Sequence, residues 1–290
     1  MHLVQAKTIL SANNGVNIYR GCTHGCIYCD SRSDCYNMDH DFEDFEDIEV
    51  KANAPQLLDR ALASKRKKCM VGTGAMSDPY NPVELDLRLW RQCLEIIDRR
   101  RFGATFLTKS DRFLRDIDLL TSINDRSKAV VQMTLTTADE NLCRIVEPNV
   151  STTAERYRAL KTLQEAGIPS VVWLCPLLPY INDTPENLRA ILDMCFDAGT
   201  KGIIMFDAGL TLRDGNRAYF YQALDCHFPG LRKVYEREYG LSYAIQSPRA
   251  AQLMAMFHEE CERRGVLHTP NEVFSYLHEY PQPYEQLSLF

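Results

Sequence analysis

Between about residue 14 and residue 210, hydrophobic and polar positions alternate between two kinds of spacing. Short runs rich in apolar and β-branched residues predict six strands, at 16–19, 69–72, 104–108, 129–135, 170–174 and 202–206. Longer segments with apolar residues at helical spacing predict helices at 55–67, 84–101, 111–123, 153–166 and 185–198. Strands that alternate with helices in this way are typical of an α/β fold with a parallel sheet.

The order of these elements predicts where a functional site lies. Crossovers between parallel strands are right-handed by default, so the series is expected to curl into an open partial barrel or a closed barrel. The carboxyl ends of the strands then meet at one rim, which is where barrels of this kind carry their sites.

The alternation stops near residue 211. Beyond it, helical patterns occur at 219–228, 230–239 and 248–264, and the final segment PQPYEQLSLF has the character of extended chain. We therefore expect a core domain at 1–210, a mainly helical C-terminal extension at 211–280 and a tail at 281–290.

Composition narrows the class of protein. The chain has 290 residues and 11 cysteines, and it begins MHLVQAKTIL, without the basic and long apolar regions of a secretory signal. Reduced thiols in the cytoplasm are therefore expected. No apolar run approaches the roughly 18 residues of a membrane span. A net charge of −6 disfavours a uniformly basic surface that binds nucleic acid, but it permits a local basic channel.

Three cysteines stand close together directly after the first predicted strand. Cys22, Cys26 and Cys29 lie in the segment YRGCTHGCIYCD, which only a compact loop can bring together. Thiolates are the ligands that iron–sulfur clusters require, and three of them leave one iron of a cubane without a protein ligand. The spacing therefore favours a [4Fe–4S] cluster with one open iron.

Two other interpretations of the cysteines remain open at this point. The first is a structural zinc site with Cys35, His24 or His40 as fourth ligand, although no second CxxC-type knuckle follows. The second is that some of these three thiols are buried and inert. We expect buried, inert thiols at five other positions: Cys93, Cys143, Cys195, Cys226 and Cys261.

The pattern CxxxCxxC, with an aromatic residue before the last cysteine, resembles the motif of the radical S-adenosylmethionine (SAM) superfamily. More narrowly, the chain is similar to the spore photoproduct lyase-like family. The similarity covers most of residues 14–210 and runs through 19–34, 72–84, 107–120, 133–169 and 176–183. It implies a partial (β/α)6 TIM-like barrel of the radical SAM type with a mainly helical C-terminal extension.

The resemblance also implies cofactors. Cys22, Cys26 and Cys29 would hold the [4Fe–4S] cluster, and SAM would bind its open iron and be cleaved to methionine and a 5′-deoxyadenosyl radical. An electron donor such as flavodoxin or ferredoxin would reduce the cluster. Six positions match the contacts that the family makes to SAM: Tyr28, Gly72, Thr73, Gly74, Lys109 and Thr134. Tyr28 would contact the adenine of SAM. Gly72, Thr73 and Gly74, at the end of the second predicted strand, would contact its amino group. Lys109 and Thr134 would contact its carboxylate.

Several of the matching residues also have purely structural interpretations. Asp78, Tyr80 and Glu84 follow the second strand and are candidate contacts to the amine or the substrate, but Glu84 would equally favour a helix N-terminus. Glu147 and Arg156 are expected to form a structural ion pair rather than to contact substrate.

One departure from the family bears on the reaction. The lyases that give the family its name carry a hydrogen-donating cysteine just before a Ser-Asp pair, and this chain has Ala75-Met76 before Ser77-Asp78. Reversal of a thymine lesion would therefore need a substitute donor such as Cys35 or Tyr80.

The last five residues, Gln286-Leu287-Ser288-Leu289-Phe290, resemble peptides that bind the bacterial sliding clamp. Such a peptide offers an amide for hydrogen bonding and apolar side chains for a groove. The alternative is that these side chains pack on their own domain. Clamp binding would bring the protein to DNA.

These observations lead to a hypothesis with two alternatives. The leading hypothesis is a cytoplasmic radical SAM enzyme that abstracts hydrogen from a damaged nucleobase in DNA. The first alternative is radical modification of tRNA, protein or a metabolite. The second is a non-catalytic, metal-stabilised binding module associated with the clamp.

Overall fold

A computed structural model describes residues 1–36, 46–73 and 77–281. Its strands are β1 (His2–Val4), β2 (Gly15–Val16), β3 (Tyr19–Arg20), β4 (Glu49–Lys51), β5 (Met70–Thr73), β6 (Gly103–Thr108), β7 (Ala129–Thr134), β8 (Ser170–Trp173), β9 (Gly202–Ile204), β10 (Gly209–Thr211) and β11 (Ala244–Gln246). Its helices are α1 (Ala54–Ser64), α2 (Glu84–Leu87), α3 (Leu89–Arg100), α4 (Ile117–Arg126), α5 (Glu140–Val146), α6 (Thr153–Glu165), α7 (Pro185–Asp197), α8 (Asn216–His227), α9 (Leu231–Tyr239), α10 (Ala250–Arg264) and α11 (Pro270–His278).

The main sheet is parallel throughout. Within the described residues it has six strands in the order β2-β5-β6-β7-β8-β9, and the helices between them form the crossovers. The expected α/β fold with a partial barrel and a mainly helical C-terminal extension is confirmed. All six carboxyl ends lie at the same edge of the sheet, because parallel strands run in one direction.

Successive side chains along each strand serve opposite faces of the sheet. Met133, Val172 and Ile203 are paired neighbours that belong to the large core formed with the crossover helices. The residues that alternate with them, such as Val171 and Ile204, belong to a second core that includes Val273 and Leu277 of α11. Helix α11 therefore covers the face of the sheet opposite the crossover helices.

The predicted first strand, 16–19, is wrong as a single strand. Val16 belongs to β2 in the main sheet, whereas Tyr19 belongs to β3 in a separate sheet with the order β1-β4-β3. Lys51 causes the division, because its backbone N–H donates to the Ile18 carbonyl (3.0 Å) and its ammonium to the Asn17 carbonyl (2.9 Å). The chain is thereby diverted just before the three cysteines.

Two predicted helices are also divided. The segment 84–101 forms α2 and α3, which are separated by Arg88 in the left-handed conformation with φ of 50°. The segment predicted as a helix at 111–123 begins with the 3-10 helix Asp111–Asp116 before α4. Neither segment contains a glycine or a proline, so the sequence carries no helix-breaking residue at either interruption.

The C-terminal extension adds a small sheet to its helices. Strands β10 and β11 pair antiparallel, with Gly209 opposite Gln246. A Cβ on Gly209 would lie 1.9 Å from the Ile245 carbonyl oxygen, so this close pairing requires glycine. The division into domains at 210 and 280 stays a prediction. No helix in the described part of the chain is long and apolar enough to cross a membrane.

Candidate functional site

The three candidate cluster ligands lie on a tight loop, residues 21–29, that follows β3. Gly21 and Gly25 have positive φ values of 86° and 69°, which favour glycine. A Cβ on Gly25 would come within 3.1 Å of the Pro148 side chain. Glycine at this position therefore lets the cluster loop pack directly against Pro148.

The segment 146–149, which begins at the last residue of α5, holds the cluster loop by backbone hydrogen bonds. The Ile27 amide donates to the Val146 carbonyl (3.0 Å), and the Asn149 amide donates to the His24 carbonyl (3.1 Å). The Asn149 side-chain amide also donates to the Thr23 carbonyl (2.9 Å). The loop conformation therefore depends on a segment more than a hundred residues away in sequence.

The electrostatic environment of the cysteines suits a thiolate cluster with a nearby cation. Burial raises the pKa of Cys22 to about 12 and raises that of Cys26 well above its usual value, so both thiols need a metal or a cation to ionise. Burial opposes the charge on Lys109, but Cys26, Glu147 and other acidic groups around it raise its pKa. Lys109 therefore carries a positive charge beside the thiols.

The donor set fits a [4Fe–4S] cluster. Across residues 1–36, 46–73 and 77–281, no three His, Cys, Asp or Glu side chains converge closely enough to hold one metal ion. Cys22, Cys26 and Cys29 lie close enough for the charge on one to raise the pKa of another, and three thiolates that each bind a different iron are the donors that a cubane takes. His40, one of the possible zinc ligands, lies outside the described residues.

Asp78 connects the cluster loop to the loop that carries Lys109. One carboxylate oxygen accepts from the Thr108 hydroxyl (2.8 Å) and from the Tyr80 amide (2.8 Å). The other accepts from the Lys109 amide (2.8 Å) and lies 3.5 Å from His24 Nδ1. Both oxygens are thus bonded to protein groups, and the geometry makes Asp78 a positioning residue.

A buried network positions Tyr28. The Tyr28 hydroxyl donates to Glu147, and Arg156 forms an ion pair with the same carboxylate at 2.5 Å, with both charged side chains fully buried. Arg156 also donates to the Thr134 carbonyl at the end of β7 (2.7 Å). The expected ion pair between Glu147 and Arg156 is therefore present, and it links the cluster loop to the main sheet.

Two other residues proposed from the sequence belong to the core. The Glu84 carboxylate is buried and accepts from Tyr19, from the Trp90 amide (3.0 Å) and from Arg115 (2.5 Å). Tyr80 is fully buried and its hydroxyl donates to Asp116 (3.0 Å). These contacts give both residues structural roles.

A cavity of about 510 Å³ opens beside the cluster loop. This volume lies within the range of roughly 300–1,000 Å³ that is usual for ligand sites. Its wall includes Cys26, Cys29 and Lys109 together with three aromatic residues from other segments: Trp173, Phe206 and Tyr243. The cavity therefore joins the candidate cofactor residues to a surface suited to a planar ring.

The six candidate SAM contacts are distributed unevenly around this cavity. Tyr28 and Lys109 line it, and the Lys109 ammonium lies 5.8 Å from the centre of the Tyr28 ring. Gly72 and Thr73 end β5 and Thr134 ends β7, but these three are not among the lining residues. Gly74, the sixth, lies outside the described residues, as do Ala75 and the tail 286–290.

Comparison with known proteins identifies the chain. The model of the radical SAM superfamily matches residues 16–195, which include the cluster loop and the strands around it. The chain belongs to the radical SAM superfamily. The family implies a [4Fe–4S] cluster and SAM for this enzyme.

The sequence relatives of this radical SAM enzyme are themselves uncharacterized proteins. One from Methanocaldococcus jannaschii is 35% identical over 182 residues, which cover 62% of this chain and 66% of the relative. One from Mycobacterium tuberculosis is 28% identical over 232 residues, which cover 77% of this chain and 66% of the relative. The chain thus spans just under two thirds of the length of these relatives.

Solved structures of spore photoproduct lyase share the fold of this radical SAM enzyme. The lyase complexed with dinucleoside spore photoproduct has a TM-score of 0.65 at 12% identity, covering 92% of this chain and 80% of that chain. A doubly substituted mutant of the lyase, with bound AdoMet and the same dinucleoside, has a TM-score of 0.63 at 13% identity, covering 90% of this chain and 78% of that chain. At these identities the likeness concerns the fold.

The rim of the cavity in this radical SAM enzyme is organised by Arg213. Its guanidinium lies 3.3 Å from Asp30 and donates to the Tyr243 hydroxyl (2.7 Å) and to the Cys35 sulfur (3.0 Å). Asp30 directly follows the last cluster cysteine, and Tyr243 directly precedes β11. Arg213 therefore connects the cluster loop to the start of β11.

The cysteines outside the cluster loop differ from expectation in two respects. Cys93, Cys143, Cys195 and Cys261 are buried as expected, but Cys226 is exposed on α8 and the prediction for it is wrong. Cys226 falls on the outer face of a helix whose apolar spacing is weak, so the sequence pattern misplaced it. Sequence reasoning also passed over Cys175, which lines the cavity.

Proposed function

We propose that this radical SAM enzyme abstracts a hydrogen atom from a damaged nucleobase in DNA. The observation that carries the proposal is the cavity whose wall combines Cys26, Cys29 and Lys109 with Trp173 and other aromatic side chains. Aromatic side chains are the usual partners of unstacked bases. The similarity in fold to a lyase complexed with dinucleoside spore photoproduct supports the same class of substrate.

The residues of this chain hold and orient the cofactors in the proposal. When bound, the cluster and SAM supply a 5′-deoxyadenosyl radical. Cys22, Cys26 and Cys29 are the proposed iron ligands, and Lys109 pairs with the SAM carboxylate. Tyr28 contacts the adenine from a position set by its bond to Glu147.

The catalytic proposal is tested by anaerobic reconstitution of the full chain with iron and sulfide. We expect about four irons per chain and the release of 5′-deoxyadenosine on reduction with dithionite. Both should be lost in Cys26→Ala and retained in Cys226→Ser, which removes an exposed thiol. Bound zinc without SAM cleavage would refute the enzyme and support the metal-stabilised binding module.

The substrate is tested separately with dinucleoside spore photoproduct as the probe. Wild-type protein should convert it in a reaction that requires SAM and reductant. Cleavage of SAM without any change in the dinucleoside would refute the DNA substrate. It would favour the alternative of a tRNA, protein or metabolite substrate on the same scaffold.

Two partners are proposed from the sequence. The tail Gln286-Leu287-Ser288-Leu289-Phe290 is proposed to bind a bacterial sliding clamp, and a flavodoxin or ferredoxin is proposed as electron donor. Deleting residues 286–290 should abolish clamp binding in a pull-down of the full chain, and unchanged binding would refute that role. Replacing dithionite with reduced flavodoxin or ferredoxin should support SAM cleavage, and its failure would refute this class of donor.

A further inference from the structure

Two basic runs meet at the amino edge of the main sheet, where its strands begin. The run 65–68 (Lys-Arg-Lys-Lys) leads into β5, and the run 99–101 (Arg-Arg-Arg) leads into β6. These two strands are paired neighbours. The Lys68 ammonium joins the runs directly, because it donates to the Arg100 carbonyl (2.7 Å). The fold therefore combines two runs that are separate in sequence into one basic surface.

Two further lysines extend this surface along the same edge. Lys128 directly precedes β7 and Lys201 directly precedes β9. Their ammonium groups lie 3.8 Å and 5.9 Å, respectively, from the centre of the Tyr276 ring on α11. The resulting surface, here called the amino-edge patch, consists of nine basic residues: 65–68, 99–101, Lys128 and Lys201.

Much of the charge on the amino-edge patch is not neutralised. Asp59 of α1 pairs with two of its arginines, at 3.0 Å and 2.8 Å. Across residues 1–36, 46–73 and 77–281, the side chains of Arg66, Lys67 and Arg101 form no ion pair, and all three residues are exposed. The whole chain carries a net charge of −6, so this positive charge is a local property of one edge.

Helix dipoles account for only part of this charge. Arg99 and Arg100 lie in the last turn of α3, where a cation is favoured by about 0.3–1 kcal/mol. Arg66 and Lys67, in contrast, come after the extended C-cap residue Lys65 of α1 and lie outside the helix. Their charges are therefore available to a partner.

The position of the amino-edge patch does not suit the electron donor. Lys109 directly follows β6 and lines the cavity with the cluster cysteines, whereas the run 99–101 precedes β6. The six residues of β6 separate these two ends by about 17–20 Å. An acidic electron-transfer protein bound to the patch would be held away from the cluster.

The C-terminal tail begins beside the amino-edge patch. The Tyr280 hydroxyl donates to the Arg101 carbonyl (2.9 Å), and the tail 281–290 continues from the next residue. A clamp bound by the proposed peptide in this tail would be tethered at the same edge of the sheet. DNA that passes through the clamp would then lie near the basic surface.

We propose that the amino-edge patch binds the phosphate backbone of duplex DNA and is a contact separate from the cavity. Lys and Arg neutralise phosphates irrespective of base sequence, so this surface holds DNA without reading the lesion. The choice of DNA as partner rests on the proposed function, whereas the positive surface does not depend on it.

The test measures binding of the reconstituted full chain to a lesion-free, fluorescein-labelled DNA duplex by fluorescence anisotropy. The salt concentration is raised from about 50 mM to about 200 mM, because the salt dependence reports the number of phosphate contacts. The patch variant Arg66→Gln/Lys67→Gln/Arg101→Gln removes three unpaired cations. With one phosphate contact per cation, the slope of log affinity against log salt should become about 2.7 shallower, so the wild type should lose about 40-fold more affinity over this interval.

The matched control is Lys7→Gln/Arg158→Gln/Lys233→Gln, which removes the same charge from exposed positions outside the patch. This control should bind the duplex like the wild type. Equal affinity and slope in the wild type and the patch variant would overturn the proposal. Equal weakening by both triple variants would also overturn it, because total charge alone would then explain binding.

A single substitution guards against misfolding of the triple variant. Circular dichroism and iron content are measured for every variant, so that lost binding is not confused with unfolding. Arg66→Gln alone, at an exposed side chain, should make the slope about 0.9 shallower. An unchanged slope in a folded Arg66→Gln protein would count against the patch.

Results with dinucleoside spore photoproduct separate this inference from the proposed function. Patch-dependent binding of the duplex without conversion of the dinucleoside refutes the proposed substrate and supports the surface. Conversion of the dinucleoside, with equal duplex binding by the wild type and the patch variant, refutes the surface and supports the substrate. Patch-dependent binding of flavodoxin without binding of the duplex would assign the surface to the electron donor and overturn the proposal.

Discussion

Replacement of Arg156 by methionine tests how the cluster loop is supported. Arg156 and Glu147 are both fully buried and lie 2.5 Å apart, and Arg156 also donates to the Thr134 carbonyl. Methionine retains much of the side-chain volume but leaves the Glu147 carboxylate and the carbonyl without this partner. Removing one member of a buried ion pair typically costs about 3–5 kcal/mol of folding free energy.

The assay is urea unfolding of the full chain, followed by circular dichroism. Arg126→Met is the matched control, because Arg126 pairs with Asp98 at 3.4 Å while its own side chain is 55% exposed. An exposed pair is worth about 0–1 kcal/mol, so this variant should unfold almost like the wild type. Equal unfolding free energies for Arg156→Met and Arg126→Met would refute the reasoning.

The double variant Arg156→Met/Glu147→Met separates the ion pair from its individual members. With both charges removed, the uncompensated carboxylate is gone, so much of the lost stability should return. The Tyr28 hydroxyl loses its acceptor in this variant. The iron content after reconstitution should therefore stay low although the unfolding free energy recovers. Such a difference would show that Glu147 and Arg156 position the cluster loop through Tyr28.

The pH dependence of the Arg156→Met deficit has a definite sign. In the wild type, burial disfavours the Glu147 charge, but Arg156, Lys109 and the Tyr28 hydrogen bond lower its pKa overall. Without Arg156, burial should raise that pKa above the unfolded value of about 4.3. A group whose pKa is raised in the folded state stabilises the fold at low pH, and this contribution is lost as the pH rises. The loss of unfolding free energy in Arg156→Met should therefore be smaller near about pH 5 than near about pH 8.

Four further substitutions have expected outcomes. Lys109→Met should weaken SAM binding by about 1.5–3 kcal/mol in equilibrium dialysis, and Lys109→Arg should weaken it less. Equal affinity in the wild type and both variants would contradict the ion pair with SAM. Asp78→Asn should lower the free energy of unfolding by about 1–3 kcal/mol and also weaken SAM binding, because an amide cannot accept at both of its ends. Gly25→Ala should cost about 1–2 kcal/mol for its left-handed conformation and should reduce iron content, whereas a normal iron content would show that the approach to Pro148 is dispensable. Leu277→Ala should cost about 2–5 kcal/mol in urea unfolding, and a smaller loss would mean that α11 contributes little to its face of the sheet.

The sequence predicted the main sheet because its strands are buried on both faces. β7 is the best example: all six residues of Ala129–Thr134 are buried, and a largely apolar run, interrupted only by Gln132 before Thr134, is recognisable between helical segments without a structure. The cluster loop was also predictable, since its three cysteines are neighbours in sequence. Features that depend on a few contiguous residues can therefore be predicted without knowledge of the tertiary structure.

Features built from distant segments were not predictable in the same way. Strands β1 and β4 have three residues each, too few for a periodic pattern. Helix α11 was missed although Thr269, Pro270 and Glu272 form a recognisable N-terminal capping signal, so this signal could have found it. The proximity of Cys175 to Lys109 carries no local signal, because it depends on the order of β6, β7 and β8 in the folded sheet.

The contacts that support the cluster loop explain why the match to the radical SAM superfamily extends far beyond the three cysteines. Glu147, Pro148 and Asn149 contact neither iron nor SAM in the proposed site, yet each fixes part of the loop: the carboxylate through Tyr28, the proline against Gly25, and the amide through the His24 carbonyl. Substitutions in this segment should therefore change iron content and SAM affinity together. A substitution of a lining residue outside the cluster loop and its support, such as Phe206→Ala, should change substrate conversion while leaving iron content intact.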